Sequence, residues 1–370
     1  MIKLVAPLSV LMVFNFLFVA CKKKSEPTPQ AVYDSTGVGQ SAKSQYETLA
    51  KLKIASQSIL LLADSTKTFD VNNAVFQFND TLATTTYNTW ESGFLQEVLS
   101  ASNKSYNPLS ADSANKPNGG VYYKYLINKN GVVFSELFEK MNLVHTLFHQ
   151  INKIGADTLY SKSKTHKILV LSGINAAFPN TSTIDVSKPY DVYFGKFAAE
   201  RDKNDGGGLY TQLKNQYANL QNAVLKSDSN SAYNNVNAVK RLLEKSAMAS
   251  VVYHLKQTQS QLTLAATQSN KLAKDSLQAK ALYHYNAAGT LVLSFKLLPV
   301  SERFISDYDG NILGNKLHIN NDNVYSPIQL LKNNTTSNID SAIIKIQNVY
   351  GFSADDIKDF ATNWVESQKR

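Results

Sequence analysis

The chain has 370 residues, of which 43% are hydrophobic, and its formal net charge is +9. This length and apolar share exclude a disulfide-built mini-protein and a fully disordered chain. Because Cys21 is the single cysteine, an intrachain disulfide and a cysteine-based zinc or iron–sulfur site are excluded as well. The positive charge is scattered over lysines, with only four arginines, so we expect no nucleic-acid partner.

Residues 1–20 form a separate unit at the N-terminus. An almost unbroken apolar run over 4–20 is typical of an export signal peptide. Cys21 follows directly, in a segment that resembles the lipobox of bacterial lipoproteins, with Phe18 where leucine is more usual. The resemblance implies cleavage before Cys21 and attachment of lipid, such as palmitate, to this residue. The alternatives are a signal peptide with a chance cysteine and a single-span anchor.

Residues 21–38 are predicted to be a flexible tether. Three lysines and two prolines lie within 22–29, and this stretch offers nothing that packs. The lipid then serves as the membrane anchor, and it holds the body, residues 39–370, at a membrane face outside the cytoplasm. The localisation we expect is the cell envelope, at the outer membrane or on a periplasmic membrane face, with the membrane as a partner through the N-terminal lipid.

The hydrophobic periodicity of the body is helical nearly throughout. The clearest apolar stripe falls in 132–153, where Glu136 and Glu139 are expected on the opposite, polar face. Predicted helices cover 44–64, 80–101, 132–153, 190–203, 208–227, 229–262, 268–298, 324–334, 337–350 and 353–368. The segment 120–127 predicts a minor β-hairpin whose turn lies at 128–131. The predicted fold class is therefore all-α, with minor β-hairpin ornaments.

Two segments in the C-terminal half need a separate interpretation. Residues 280–298 are apolar on nearly every side, so we expect this helix at the centre of the body. His284, Asn286 and Lys296 argue against a membrane span there. The segment Asp307–Asn311 is similar to a calcium-binding loop, but its glycine is misplaced and no closing glutamate follows, so it predicts a plain turn.

Three segments carry a resemblance to a known family. They are Glu136–Met141, Ala247–Leu255 and His284–Pro299. Over roughly 40–360 the chain resembles a family of Bacteroidetes lipoproteins that is itself similar to imelysin-like proteins. The resemblance implies an all-α fold of two packed bundles of long antiparallel helices, with a boundary near 180–208. It also implies an association with iron acquisition, although imelysin-like proteins were once described as peptidases.

The Gly-x-His-x-x-Glu motif of imelysin-like proteins is absent, because none of the six histidines is followed by Glu three residues later. The chain is either a member that has lost the site or a structural relative that never had it. No His-Glu-x-x-His occurs, which excludes a zinc peptidase of that type.

His145 and His149 are the candidate metal ligands. They lie four residues apart on one predicted helix, a spacing that chelates an ion such as iron. The alternative is a buried, hydrogen-bonded histidine pair. Apart from this candidate metal ion, no cofactor is evident in the sequence.

A second candidate site is a pocket lined by His284, Tyr285, Tyr253 and His254. These tyrosines and histidines cluster in two segments that both read as long helices. The alternative is that they are core residues that satisfy one another's hydrogen-bonding groups.

Asp followed by Ser or Thr, and then by a small or aliphatic residue or Thr, occurs seven times. This triplet resembles the O-glycosylation acceptor of exported Bacteroidetes proteins. The candidate acceptors are Ser35, Ser65, Thr81, Ser113, Thr158, Ser276 and Ser341. The alternative is helix capping, since Asp, Ser and Thr all favour helix starts.

Three hypotheses of function follow. The first is a lipid-anchored binding or accessory protein of the cell envelope, serving iron or another nutrient, with a small ligand or an envelope protein as its partner and no catalytic residue evident. The second is a metal-dependent, peptidase-like hydrolase that uses His145 and His149. The third is a purely structural envelope lipoprotein.

Overall fold

Helices dominate the part of the chain that the structure describes. The computed structural model describes residues 32–62, 83–84, 93–94, 96–102, 104–110, 117–185, 187–333 and 336–370. Within those ranges the only sheet has two strands, so the predicted all-α fold class is confirmed. The predicted signal peptide 1–20, the lipid-attachment residue Cys21 and the first part of the tether lie outside the described residues.

The helices with defined bounds are labelled here in chain order. They are α1 (Lys43–Leu61), α2 (Phe134–Asn142), α3 (His149–Ala156), α4 (Lys162–Leu171), α5 (Tyr193–Glu200), α6 (Leu209–Leu225), α7 (Ser229–Ala266), α8 (Lys271–Leu297), α9 (Asp307–Lys316), α10 (Ile328–Asn333), α11 (Ser337–Tyr350), α12 (Ala354–Asp359) and α13 (Trp364–Ser367). A π-helical turn over Leu143–Phe148 joins α2 to α3, so the predicted helix 132–153 is one continuous rod over 134–156.

The two longest described helices, α7 and α8, form an antiparallel hairpin at the centre of the body. Side chains cap both helices at their starts: Asp228 accepts from the Ser231 amide, and Asn270 accepts from the Ala273 amide. Every residue of α8 from 285 to 295 is buried, as expected for a central helix. No described helix combines the length and the apolar character that crossing a membrane requires.

The sheet is a short antiparallel hairpin of β1 (Gly120–Tyr122) and β2 (Tyr125–Ile127). Its turn is formed by residues 123–124, not by the predicted 128–131. Residues 128–131 nevertheless form a tight turn of their own, in which the Gly131 amide donates to the Asn128 carbonyl. This second turn leads the chain directly into α2.

Two helices were missed by the sequence analysis. Helix α4 lacks a clear apolar stripe, since its apolar residues are bunched at its C-terminal end, and its start is fixed by Ser161, which accepts from the Lys164 amide. The expected plain turn at Asp307–Asn311 is wrong, because these residues open α9. Ser306 caps that helix by accepting from the Asp309 amide, which is an N-cap arrangement and not a calcium loop.

Residues 33–38, which the sequence assigns to the tether, lie on the body. The Tyr33 hydroxyl is 3.0 Å from Nδ1 of His166, and Tyr33 is buried. The backbone of Asp34 exchanges two hydrogen bonds of 2.7 Å with the Gln221 amide side chain, and its carboxylate binds Lys162. This segment therefore belongs to the body and not to the tether.

Candidate functional site

A charged cluster lies on α2, made of Glu136, Glu139 and Lys140. The Lys140 ammonium is 2.7 Å from Glu139 Oε1 and 3.5 Å from Glu136 Oε2. The side chains of Glu136 and Lys140 are only 8% and 7% exposed, whereas that of Glu139 is 35% exposed. The expectation that Glu136 faces solvent is therefore wrong, and Glu139 is the member of the cluster that reaches the surface.

Aromatic rings cover the buried end of this cluster. The Tyr283 hydroxyl of α8 hydrogen-bonds Glu136, and the Tyr283 ring stacks on Tyr125 with ring centroids 4.8 Å apart. Desolvation raises the pKa of Glu136, although Lys140 opposes this shift. For Lys140, desolvation is outweighed by the carboxylates, Glu139 first, so its pKa lies above its usual value. The ammonium of this cluster therefore stays charged at neutral pH.

The exposed end of the cluster opens on a cleft of about 380 Å³. Its walls are α1, the segments 182–184 and 190–192 and the start of α5, with Glu139 from α2 beneath them. The lining residues are Leu49, Ala50, Lys53, Ser56, Gln57, Glu139, Ser182, Ile184, Tyr190, Asp191, Val192, Tyr193 and Lys196. A volume of this size and a lining that exposes more apolar than polar surface are typical of a small-molecule site.

One wall of the cleft is held in a strained conformation at Tyr193. This residue has a positive φ of 50°, which is uncommon for a bulky side chain, and its hydroxyl donates to the Leu49 carbonyl at 3.2 Å. Gly173 supports the wall from behind, because a Cβ there would lie 2.1 Å from the Val192 carbonyl oxygen. A left-handed backbone at Gly173, with φ of 71°, lets the two segments approach so closely.

Asp191 lies at the base of the same wall and is almost fully buried. Its carboxylate accepts from the Asn175 amide at 2.9 Å and from the Thr181 amide at 3.3 Å. Desolvation nevertheless raises the pKa of Asp191 to about 6. A carboxyl group with a shifted pKa beside a cleft is a feature found at functional sites.

The structure brings three of the four candidate pocket residues together. Nδ1 of His254 on α7 lies 3.1 Å from Nδ1 of His284 on α8, and the ring of Tyr253 contacts both imidazoles. Tyr285 lies elsewhere, fully buried, with its hydroxyl 2.9 Å from Nδ1 of His318. Burial lowers the pKa of His284 to about 4 and lowers that of His254 well below its usual value, so both rings are neutral at pH 7.

His145 and His149, the predicted metal ligands, have separate partners. His145 lies in the π-helical turn with its Nδ1 2.7 Å from Thr84 Oγ1, and burial lowers its pKa to about 4. His149 Nδ1 is 2.7 Å from Glu302 Oε2. Among the residues that the structure describes, no group of three or more His, Cys, Asp or Glu side chains is placed to hold a metal ion.

The candidate glycosylation residues fall into two structural groups. Ser35 and Thr158 are exposed, and each follows an Asp whose carboxylate accepts from the amide two residues later, at 2.9 Å for Asp34 and 3.0 Å for Asp157. Ser276 and Ser341 lie within α8 and α11 instead. The candidates Ser65, Thr81 and Ser113 lie outside the described residues.

The cleft and the charged cluster were missed by the sequence analysis. One signal for the cluster was available, since Glu136 and Lys140 are four residues apart and of opposite charge. His254 and His284, which the sequence analysis placed in one candidate pocket, are equidistant from residue 269 in the loop of the central hairpin. No local pattern joins α1, 182–192 and α5, so the cleft itself had no signal.

Comparisons of the chain with protein-family models, with curated proteins and with solved structures found no match.

Proposed function

We propose that the protein is a lipid-anchored binding protein of the cell envelope that takes a small amphipathic carboxylate into the cleft between α1 and α5. The observation that carries this proposal is the cleft itself, about 380 Å³ in volume and lined beneath by Glu139, whose carboxylate belongs to the charged cluster with Lys140 and Glu136. Buried charges are costly, so a cluster that meets a cleft is more readily explained by a ligand than by stability.

The charges in the cleft favour an anionic head group. Both acids are already engaged, Glu139 by Lys140 and Asp191 by two backbone amides. Lys53 and Lys196 are exposed on opposite walls, and the nearest ion-pair partner of Lys196 is Glu200 at 3.9 Å. Two ammonium groups above an apolar lining fit a molecule with a carboxylate at one end and a hydrocarbon body.

Octanoate is the probe that tests this site, by isothermal titration calorimetry on the purified full chain. We expect saturable binding of octanoate and none of octanol, which has the same chain without the charge. Replacing both cleft lysines, in K53M/K196M, is expected to weaken octanoate binding about 10-fold or more, because a hydrogen bond to a charged group contributes about 1.5–3 kcal/mol. Lys214→Met, on the exposed face of α6, is the matched control.

If K53M/K196M binds octanoate with the same affinity as the wild-type chain, the cleft is rejected as the anion site. Equal affinity for octanol would reject the role of charge and leave apolar partition alone.

Anchoring through Cys21 is part of the same proposal. The apolar run and the lipobox-like segment before Cys21 support it. Cells fed with labelled palmitate are expected to label the wild-type protein, while Cys21→Ser carries no label. Label that persists in Cys21→Ser would show that the lipid is attached at another residue.

The relation to imelysin-like lipoproteins, with two packed bundles and a role in iron or nutrient uptake, also belongs to this proposal. Its support is that two of the three segments of the resemblance meet, because Nδ1 of His284 on α8 lies 3.1 Å from Nδ1 of His254 on α7. A bound carboxylate nutrient is compatible with such a role. Loss of growth on limiting nutrient in a deletion strain, restored by the wild-type gene and not by K53M/K196M, is the expected result.

O-glycosylation is proposed for Ser35 and Thr158, the two described candidates that lie in exposed turns. A hydroxyl at the top of an open turn is accessible to a transferase, whereas Ser276 and Ser341 are held in helices. Protein from the native host is expected to lose mass in S35A/T158A and to keep it in S276A. Identical polypeptide masses from the native host and from cytoplasmic expression, after allowing for lipid, would contradict glycosylation at any of them.

A further inference from the structure

The central hairpin places two imidazoles face to face. His254 comes from α7 and His284 from α8, and their Nδ1 atoms are 3.1 Å apart. The ring centroids are 5.4 Å apart and the ring planes are inclined by 34°. Both side chains are half-buried and keep part of their surface accessible to solvent.

This distance fits two arrangements. In the first, one ring carries a proton on Nδ1 and donates it to the other ring. In the second, both Nδ1 lone pairs point at one ion. Metal–nitrogen bonds of about 2.0–2.1 Å and an N–N separation of 3.1 Å give an angle of about 100° at the metal, between the square-planar and tetrahedral values.

We propose that His254 and His284 bind one divalent transition-metal ion through their two Nδ1 atoms. Imidazole ligands suit Zn²⁺, Ni²⁺ and Cu²⁺ and disfavour Mg²⁺ and Ca²⁺, with Cu²⁺ the tightest of the series. The inference does not depend on the proposed function, because neither histidine lines the cleft between α1 and α5.

The cations near the pair are themselves paired with acids. Three cations act on His254, namely Lys140, Arg201 and Lys196. Each has a carboxylate partner, since Lys140 is paired with Glu136 and Glu139, while Arg201 and Lys196 lie 3.4 Å and 3.9 Å from Glu200. Each of the three cations is therefore paired with a carboxylate, which reduces the positive charge that a divalent ion at the pair would meet.

The neighbouring rings define what else reaches the ion. Arg201 covers the ring of Tyr253 at 3.8 Å, and the Tyr283 hydroxyl is engaged by Glu136. Among the described residues no third His, Cys, Asp or Glu completes the site. The remaining coordination positions are then filled by water or by an exogenous ligand, which is the arrangement of an open metal site.

Copper titration of the full chain tests the proposal. The chain is purified in detergent, stripped with chelator and desalted, and Cu²⁺ uptake is followed by electron paramagnetic resonance. We expect the chain to bind about one equivalent of Cu²⁺, with superhyperfine splitting from two imidazole nitrogens in the spectrum. His254→Gln and His284→Gln are each expected to weaken Cu²⁺ binding at least about 10-fold, since even the loss of an outer-shell partner has an effect of this size.

His318→Gln is the matched control, because His318 bonds Tyr285 on another face of α8 and should leave Cu²⁺ uptake unchanged. Uptake that survives in His254→Gln and is lost in His145→Gln would move the site to the π-helical turn and overturn the proposal. The absence of stoichiometric uptake by the wild-type chain would overturn it as well.

A measurement on the wild-type chain covers the case in which a variant fails to fold. Diethyl pyrocarbonate carbethoxylates accessible imidazoles, and peptide mass mapping identifies the labelled residues. One equivalent of Zn²⁺ is expected to protect His254 and His284 from the reagent while the labelling of His318, which is half-buried like them, stays the same. Equal labelling of His254 and His284 with and without Zn²⁺ would contradict the proposal.

Discussion

Two buried glutamates of this protein have opposite surroundings. Glu244 on α7 is 1% exposed and accepts from the Phe304 amide at 2.6 Å, the Ile305 amide at 2.8 Å and the Tyr350 hydroxyl at 2.7 Å. Glu136 on α2 is buried almost as deeply, but its partners include an ammonium group, and its cluster opens on a cleft. The two sites show that carboxylates buried to a similar depth can have quite different partners.

The difference lies in what the neighbours need. The donors around Glu244 are backbone amides and one hydroxyl, and they attach the segment after α8 and helix α11 to the central hairpin. A carboxylate that accepts from three donors of the fold acts as a clamp. The Glu136 cluster instead holds two carboxylates around one ammonium group, with Tyr283 at its buried end and Glu139 lining the cleft.

Removal of the clamp should have the largest effect on stability. Glu244→Ala leaves two amides and one hydroxyl without an acceptor in a buried site, so we expect a loss of about 4 kcal/mol in the free energy of unfolding. Urea denaturation followed by circular dichroism measures it. Glu47→Ala, on the exposed side of α1, is the control and should stay within about 0.5 kcal/mol. A loss below about 1 kcal/mol for Glu244→Ala would show that these hydrogen bonds do not stabilise the attachment of the segment after α8 and of α11 to the central hairpin.

Breaking the charged cluster should cost slightly less. Lys140→Met leaves Glu136 buried without its cation, and we expect a loss of about 3–4 kcal/mol in the same urea measurement. The double variant E136Q/K140M removes both charges and should recover at least half of that loss. If the double variant is less stable than Lys140→Met alone, the penalty comes from packing and not from the unpaired carboxylate.

The cleft wall offers a prediction in pH. The pKa of Asp191 is about 6 in the folded chain and about 3.8 in the unfolded chain, so between these values the folded chain binds more protons. This group therefore makes the free energy of unfolding fall as pH rises from about 4 to about 6, by at most about 3 kcal/mol. Asp191→Asn should remove this part of the slope in urea denaturation across pH 4–7. A slope identical to that of the wild-type chain would contradict the raised pKa.

The smallest expected loss of stability comes from removing one of the three donors to Glu244. Tyr350→Phe deletes one donor and leaves Glu244 with its two backbone amides, so the expected loss is about 1 kcal/mol. The double variant Y350F/E244A should be no less stable than Glu244→Ala alone, because the hydroxyl has then lost its acceptor. Full additivity of the two changes would show that Tyr350 stabilises α11 independently of Glu244.

The sequence was most informative where a helix is long. The rod over 134–156 and the two helices of the central hairpin were predicted nearly to their bounds, because a helical pattern of apolar residues persists over many turns there. Helices α4 and α9 were missed for opposite reasons: α4 has a bunched apolar end, and α9 begins with residues that also form turns.

The candidate site was less predictable because its parts are distant in sequence. Glu136 occupies the face of α2 opposite the main apolar stripe, so periodicity alone places it in solvent. Only the arrival of Tyr283 and Tyr125 turns this face into a buried one. Such burial depends on tertiary contacts, which hydrophobic periodicity within one helix does not contain.

The contact of Tyr33 with His166 has a practical consequence for making this protein without its N-terminal segment. A shortened chain starting at residue 39 would lack the Tyr33 side chain that contacts His166. It would also leave the Gln221 amide side chain without the backbone of Asp34. A start before Val32 keeps both contacts. The safe truncation point therefore lies on the N-terminal side of Val32, several residues earlier than the composition of the segment suggests.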